Sequence, residues 1–333
     1  MMLGKKSIWN HFFCIWLLIF LSACAPIKTN PESIVFMAGY KPQANLPFVG
    51  VYVAQANGYF DEEHVEVTIQ HSAGRGEHLQ LLVAGSVDIT TQDAAVLLQR
   101  CAEPGLPLVS IGLIGQRGQQ AFIAITGSNI KSIDDWRGHK IGFKGTPPPD
   151  LLAILDQAGI HKDDIELINV GFDPRVLTEG LVDIYPVYKS NEPYLLNAWG
   201  YTLLQWDADQ FGIPTMGLTY VTTPDVIEQK SAALTSFMRA VIRGISFAEQ
   251  NPEMAVDIVM QYTGPEADRD HMLFMLETEL EDAHSALTDK FGLGWQSKAQ
   301  WQDLLDTLLH YDAISGPVDI DTVFDNQFLP GKE

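Results

Sequence analysis

The feature that most constrains this chain is an alternation. Residues 33–38 (Ser-Ile-Val-Phe-Met-Ala) read as a short buried strand, and 48–60 read as an apolar helix ending near Gly58. Residues 65–70 alternate as a strand should, 77–84 form a helix with Gly85 just beyond it, and 87–90 give the next strand. A helix at 94–101 and a strand at 107–115 follow, and a second set runs from 120 to 206 in the same style. After Pro214 the pattern turns helical, with Leu234, Phe237, Met238, Val241, Ile242, Ile245 and Ala248 spaced by three and four along one face. Strands and helices taking turns over this length imply an α/β fold.

What holds such a fold together is its core. There are 3 Cys, namely Cys14, Cys24 and Cys101, which permit neither a disulfide framework nor a zinc-ligand spacing. The 333 residues suffice for two lobes or one large domain. The N-terminus carries Lys5 and Lys6, a dense apolar run at 12–21, and then Leu21-Ser22-Ala23-Cys24. That order is a secretory signal, and the run is short for a bilayer span, which takes about 20 apolar residues. The last four residues resemble the lipobox of bacterial lipoproteins, which implies a signal peptide over 1–23 and a lipid on Cys24. A polar tether over 24–33 would follow, placing the chain on the extracytoplasmic face of the cell membrane. The net charge of −21 argues against nucleic acid or acidic lipid as partners, so attachment to a membrane falls to the lipid.

The tools of catalysis are missing. No G-x-S-x-G, H-E-x-x-H or P-loop motif occurs, and the Gly74 segment "GRGEHL" lacks the third glycine of a dinucleotide fingerprint. His71 and His78 have a spacing compatible with one helix face, but no carboxylates complete a metal site. Asp134-Asp135 and Asp163-Asp164 suit helix starts. The acidic cluster at 277–282 reads as a solvated helix face. The expectation is a binding protein with no catalytic residue, metal or cofactor.

Four segments in order carry a family resemblance. They are "FVGVYVAQANGYFDEEHVEVTI", "LLVAGSVDITTQDAAVLL", "SIDDWRGHKIGFKG" and "EGLVDIYPVYKSNEPYLLNAWG". Together they resemble the solute-binding proteins of bacterial ABC importers, in the group that binds thiamine-pyrimidine precursors, nitrate and alkanesulfonates. The resemblance spans residues 34 to 260. It implies a two-lobed periplasmic-binding-protein fold of type II, a venus flytrap, that works as a monomer with a membrane permease. Lobe 1 would comprise 34–117 and 215–333, and lobe 2 would comprise 118–214, with crossings near 115–119 and 213–217.

In open α/β sheets solutes bind at the carboxyl ends of strands. That placement explains the polar loop "GYKPQANLPF", which separates two core segments. Pro42 and Pro47 stiffen it, and Tyr40, Gln43, Asn45 and Phe48 become candidates to hold a solute. Gln43 and Asn45 alternatively serve the turn backbone and the helix cap. Gln92 and Asp93 past the third strand, Gln116 at the crossing, Thr146 before a proline run, and Tyr185, Tyr188, Asn191 and Glu192 complete the set. Asp93 and Glu192 alternatively cap helices, and Tyr188 alternatively packs in the core.

Rings, amides and few arginines suit an uncharged flat heteroaromatic solute. Arg75 and Lys144 are the basic groups nearby that an anion would use. The first loop lacks the "D-W-x-P-N-x-x-H" pattern of the pyrimidine-precursor branch and looks more like the riboflavin-uptake branch. Riboflavin is therefore the expected ligand, with a hydroxymethyl- or formylaminopyrimidine second, a sulfonate third, and a pyrimidine-synthase-like enzyme a remote alternative.

Replacing Cys24 by Ala should abolish lipid attachment and leave the chain unprocessed at that site or released. Radiolabelled palmitate incorporated equally by Cys24→Ala and wild type would contradict the assignment.

Overall fold

The computed structural model describes Met1 and residues 32–331. The lipid-anchoring assignment at Cys24 lies outside the described residues. Residues 32–331 open with β1 (Glu32–Ala38), α1 (Leu46–Ala56), the short α2 (Tyr59–Glu62), β2 (Val65–His71) and α3 (Glu77–Val83). β3 (Ile89–Asp93), α4 (Ala94–Ala102) and β4 (Val109–Leu113) follow. The middle of the chain contributes β5 (Gln120–Ile125), β6 (Lys140–Phe143), α5 (Pro149–Gln157), β7 (Glu166–Asn169) and α6 (Arg175–Thr178). It continues with β8 (Tyr185–Tyr188), α7 (Glu192–Ala198) and β9 (Leu203–Asp207). The chain then returns through β10 (Leu218–Thr222) to α8 (Pro224–Gln250), α9 (Pro252–Val259), α10 (Arg269–Asp282), α11 (Ala286–Phe291) and α12 (Lys298–His310).

The strands sort by chain position. A five-stranded sheet has the order β2-β1-β3-β10-β4, with β1 parallel to β2 and β3 and β10 antiparallel to both neighbours. The middle segment forms its own sheets, an antiparallel β8-β5-β9 and a parallel β6-β7. The apolar clusters divide in the same way. Ile34, Phe36, Tyr220 and Phe237 pack in one half, and Phe122, Trp136, Ile141 and Leu151 in the other. Below these are called the first half and the second half.

α1 is buried from Leu46 to Ala54, which an all-apolar helix requires. Pro47, expected in the preceding loop, sits in the first turn of α1, where its missing N–H costs nothing. The helix starts earlier than the apolar run alone suggested. α1 crosses α8 at a pair of glycines, where a Cβ on Gly244 would lie 2.2 Å from the Gly50 carbonyl oxygen. Backbones can approach this closely only without side chains.

The two connections between the halves run side by side. Gly217 N–H donates to the Gly115 carbonyl at 2.8 Å, and Gly118 N–H donates to Thr215 Oγ1 at 3.0 Å. Among the described residues no helix is long and apolar enough to cross a membrane.

The glycine crossing yields a stability prediction. Gly244→Ala puts a methyl group against backbone that cannot swing aside and should cost about 1–3 kcal/mol, the usual range for overpacking. Urea unfolding measures it, and an unchanged midpoint would show that the helices separate freely.

Candidate functional site

The loop after β1 places Tyr40 at the surface, 41% exposed. Its ring rests on the following loop at Gly74, where a Cβ would fall 2.4 Å from a ring carbon. Glu77 holds that loop by accepting from Ala73 N–H, from Arg75 N–H at 3.0 Å and from Ser72 Oγ at 2.9 Å. The hydrogen bond from its own backbone N–H, followed by those from Ala73, Ser72 and Arg75, lowers its pKa to about 2. The ring is thus supported from behind by fixed backbone.

Further along the loop, the Gln43 amide donates to Asn45 Oδ1 at 2.5 Å, and the Asn45 amide donates to Glu279 Oε1 at 2.5 Å. The Leu46 N–H donates to Glu279 Oε2 at 2.7 Å. Asn45 occupies the cap position of α1 without capping it through its side chain. Glu279 takes over that service from α10, and its burial pushes its pKa up to about 7. The acidic cluster at 277–282 is therefore only in part a solvated face, since Glu277 and Glu281 are exposed but Glu279 and Asp282 are buried. The donors that Glu279 and Asp282 meet from elsewhere in the chain explain the difference.

The expectations for other first-half residues divide. Phe48 is 2% exposed and belongs to the core around α1 rather than to a surface. Gln92 and Asp93 are the last two residues of β3, not past it. Gln92 accepts from Asp93 N–H at 2.9 Å and lies 3.2 Å from His78 Nε2. Asp93 caps α4, with Oδ1 accepting from Ala95 N–H at 2.9 Å and Val96 N–H at 3.4 Å. Burial pushes its pKa up to about 6 against those bonds. Gln116 is buried and fully engaged. Its amide nitrogen donates to the Leu113 and Trp295 carbonyls, and its oxygen accepts from Ser285 and Gln300. It buttresses the crossing and has no free group for a solute. His71 and His78 share no helix face, because His71 ends β2, 2.6 Å from the Tyr52 hydroxyl, and His78 sits on α3.

In the second half, Lys144 follows β6 and pairs with Glu192 Oε1 at 2.6 Å. Glu192 also accepts from Tyr188 N–H at 2.8 Å, so it ties the end of β8 to the start of α7. Asn191 stands at the cap position of α7 without a side-chain cap. Tyr185 is buried, and its hydroxyl donates to the Gly171 carbonyl at 3.1 Å. Tyr188 is 48% exposed, so it is not core, and Thr146 is exposed.

Phe172 and Asp150, which the sequence did not single out, join them, as does Asp282, which it read as part of a solvated face. Phe172 follows β7 with its ring 70% exposed. Asp150, in the first turn of α5, accepts from Gln120 at 2.9 Å and from Leu151 N–H at 2.8 Å. Asp282 accepts from Arg117 Nε at 2.9 Å, Gln119 at 2.6 Å and Lys189 Nζ at 2.8 Å. An acid directly after a strand and a proline run is a signal that would have found Asp150.

The halves bring part of this set together. The Tyr188 hydroxyl has its pKa raised by burial, then by the charges of Asp93 and Glu192 and by Tyr40. Burial, with the Asp93 charge adding to it, pushes Asp150 up to about 7. Tyr40 and Asp93 of the first half are therefore near enough to act electrostatically on Tyr188, and Asp93 on Asp150, of the second. α10 straps the two together, with His271 stacked on Tyr194 at 4.5 Å and 2°, and Asp282 holding Lys189.

Residues 45–255 match the NMT1/THI5-like family. The chain belongs to that family. It is 28% identical to the riboflavin-binding protein RibY of Chloroflexus aurantiacus, over 95% of this chain and 96% of that protein. It is 24% identical to a formylaminopyrimidine-binding protein of Halalkalibacterium halodurans, over 92% of this chain and 95% of that one. The periplasmic aliphatic sulphonate binding protein SsuA of Escherichia coli superposes with a TM-score of 0.68 at 16% identity, covering 91% of this chain and 95% of SsuA. The fold is that of the two-lobed periplasmic binding proteins.

The raised carboxyls give stability a pH dependence. Asp93, Asp150 and Glu279 start from ordinary values of 3.8, 3.8 and 4.5 and rise to about 6, 7 and 7. These three groups therefore hold more protons in the folded protein than in the unfolded chain between about pH 4 and 7, so their contribution to stability falls as pH rises through that window. His71, His78 and His271, whose pKa burial lowers, contribute in the opposite sense. Glu77 and Asp173, held at about 2, act only below that window. The urea midpoint of the full-length protein without ligand should be higher at pH 5 than at pH 8. A midpoint rising with pH would contradict this assignment.

Proposed function

We propose that this protein is the solute-binding lipoprotein of an ABC importer, held on the extracytoplasmic membrane face by lipid on Cys24. In this reading it binds riboflavin between its halves and delivers it to a membrane permease. The observation that carries the reading is the pair of exposed rings, Tyr40 and Tyr188, one from each half and within electrostatic reach of each other and of Asp93. An isoalloxazine ring offers two faces for stacking, and its imide and ribityl hydroxyls offer donors to Asp93 and Asp150. The likeness to RibY over nearly the whole chain supports the same solute.

The hinge belongs to the proposal as well. The paired crossings at 115–118 and 215–217 are where lobes comprising 34–117 with 215–333, and 118–214, would move. Of the candidates named from sequence, the reading keeps Tyr40, Gln43, Asn45, Gln92, Asp93, Thr146, Tyr188, Asn191 and Glu192, and adds Phe172 and Asp150. Tyr185, like Phe48, is fully buried and supports the site from the core. A formylaminopyrimidine is the second reading, favoured by the relative from Halalkalibacterium halodurans. A sulfonate is disfavoured, because Lys144 already serves Glu192 and the neighbouring carboxylates repel anions.

Riboflavin titration by quenching of its fluorescence tests the proposal. Tyr40→Ala should weaken binding by about 1–3 kcal/mol, or roughly 5- to 150-fold, by analogy with aromatic stacking on a nucleic-acid base. Arg75→Ala should change little. Loss of binding in Arg75→Ala alone would indicate an anionic solute, and wild-type affinity in Tyr40→Ala would reduce the loop to a connector.

A further inference from the structure

Lys144 occupies an unusual position. Its ammonium lies 5.0 Å from the ring centroid of Phe172, 5.1 Å from that of Tyr185 and 5.4 Å from that of Tyr188. Glu192 Oε1 stands 2.6 Å away, and the two side chains are 14% and 2% exposed. The topology assembles this group from three strand ends. Lys144 directly follows β6, Phe172 follows its parallel partner β7, and both tyrosines belong to β8. Rings around a cation with a carboxylate beside it form the arrangement by which proteins take up quaternary ammonium ligands. Here the cation is the chain's own.

We propose that Lys144 is the built-in occupant of an aromatic cage at the solute site, and that it sets specificity by shutting cationic solutes out. The proposal rests on the reading of this cleft as the solute site. Without such an occupant the cage would favour cations, because Glu192 borders it and the Asp93 charge bears on its Tyr188 ring, in a protein of net charge −21. A tethered ammonium wins that competition, since its effective concentration at the cage far exceeds that of a free solute. It also neutralises Glu192. The parts of Phe172 and Tyr188 that remain exposed are then left to an uncharged ring.

Lys144→Ala should convert the cage into a cation site. Choline is the probe, titrated calorimetrically into full-length wild type, Lys144→Ala, Lys144→Arg and Lys144→Ala/Glu192→Gln, with thermal melts for folding. Lys144→Ala should bind choline about 30-fold tighter than wild type, the factor corresponding to a desolvated cation–π contact. Lys144→Arg keeps the occupant and should match wild type. The double variant, which keeps the rings but not the charge, should fall between wild type and Lys144→Ala.

A folded Lys144→Ala that binds choline no better than wild type overturns the proposal. So does a wild type that binds choline as tightly as Lys144→Ala. If the unpaired Glu192 prevents the single variant from folding, the double variant decides, and equality with wild type overturns the proposal. Riboflavin titrated in parallel separates the two readings. Its failure to bind wild type counts against the proposed solute and leaves the choline comparison intact.

Discussion

The arrangement of the cleft depends on one carboxylate. Asp282, the last residue of α10, gathers Arg117 and Gln119 from one connection and Lys189 from the end of β8. Its carbonyl oxygen also accepts from the Gln116 and Arg117 N–H groups. A buried ion pair adds little net stability, because desolvation offsets the attraction, while removing one partner leaves an uncompensated charge. What Asp282 supplies is register. It fixes where the tip of β8, and hence Tyr188, stands relative to the first half.

Glu279 lies one helical turn earlier on the same face of α10 and serves the other side. It holds the loop that carries Asn45, while Ser190 Oγ lies 3.5 Å from it. A single helix therefore references both walls of the cleft through two acids. The rings contributed by those walls have firm backing, Tyr40 against Gly74 and Tyr188 through Glu192. Rings held in place before a solute arrives lose less entropy on binding.

Much of the architecture was legible because hydrophobic period is a local property. The strands at 33–38 and 65–70 and the helix at 94–101 could be placed from alternation and spacing alone. That Tyr40 in the polar loop after β1 lies at the surface was legible because the loop gave it no core to fill. The rest was not legible, for physical reasons. Whether an acid is solvated depends on donors far away in sequence, and Glu279 meets Asn45 from 234 residues off. Gln116 looked available because its four partners come from 113, 285, 295 and 300, which no local pattern reveals. Phe172 was missed because an exposed aromatic in a polar turn leaves no periodic trace.

The strand order has a bearing on how the chain comes to be folded. β10 lies between β3 and β4 in the five-stranded sheet, yet it follows the whole second half in the sequence. While the chain emerges from its N-terminus, β4 must wait for a neighbour until residues 218–222 appear. The middle segment draws its own sheets from 120–207 and needs nothing that comes later to pair its strands. Vectorial synthesis therefore completes the inner part before the outer one, and the first sheet closes around a strand that arrives late.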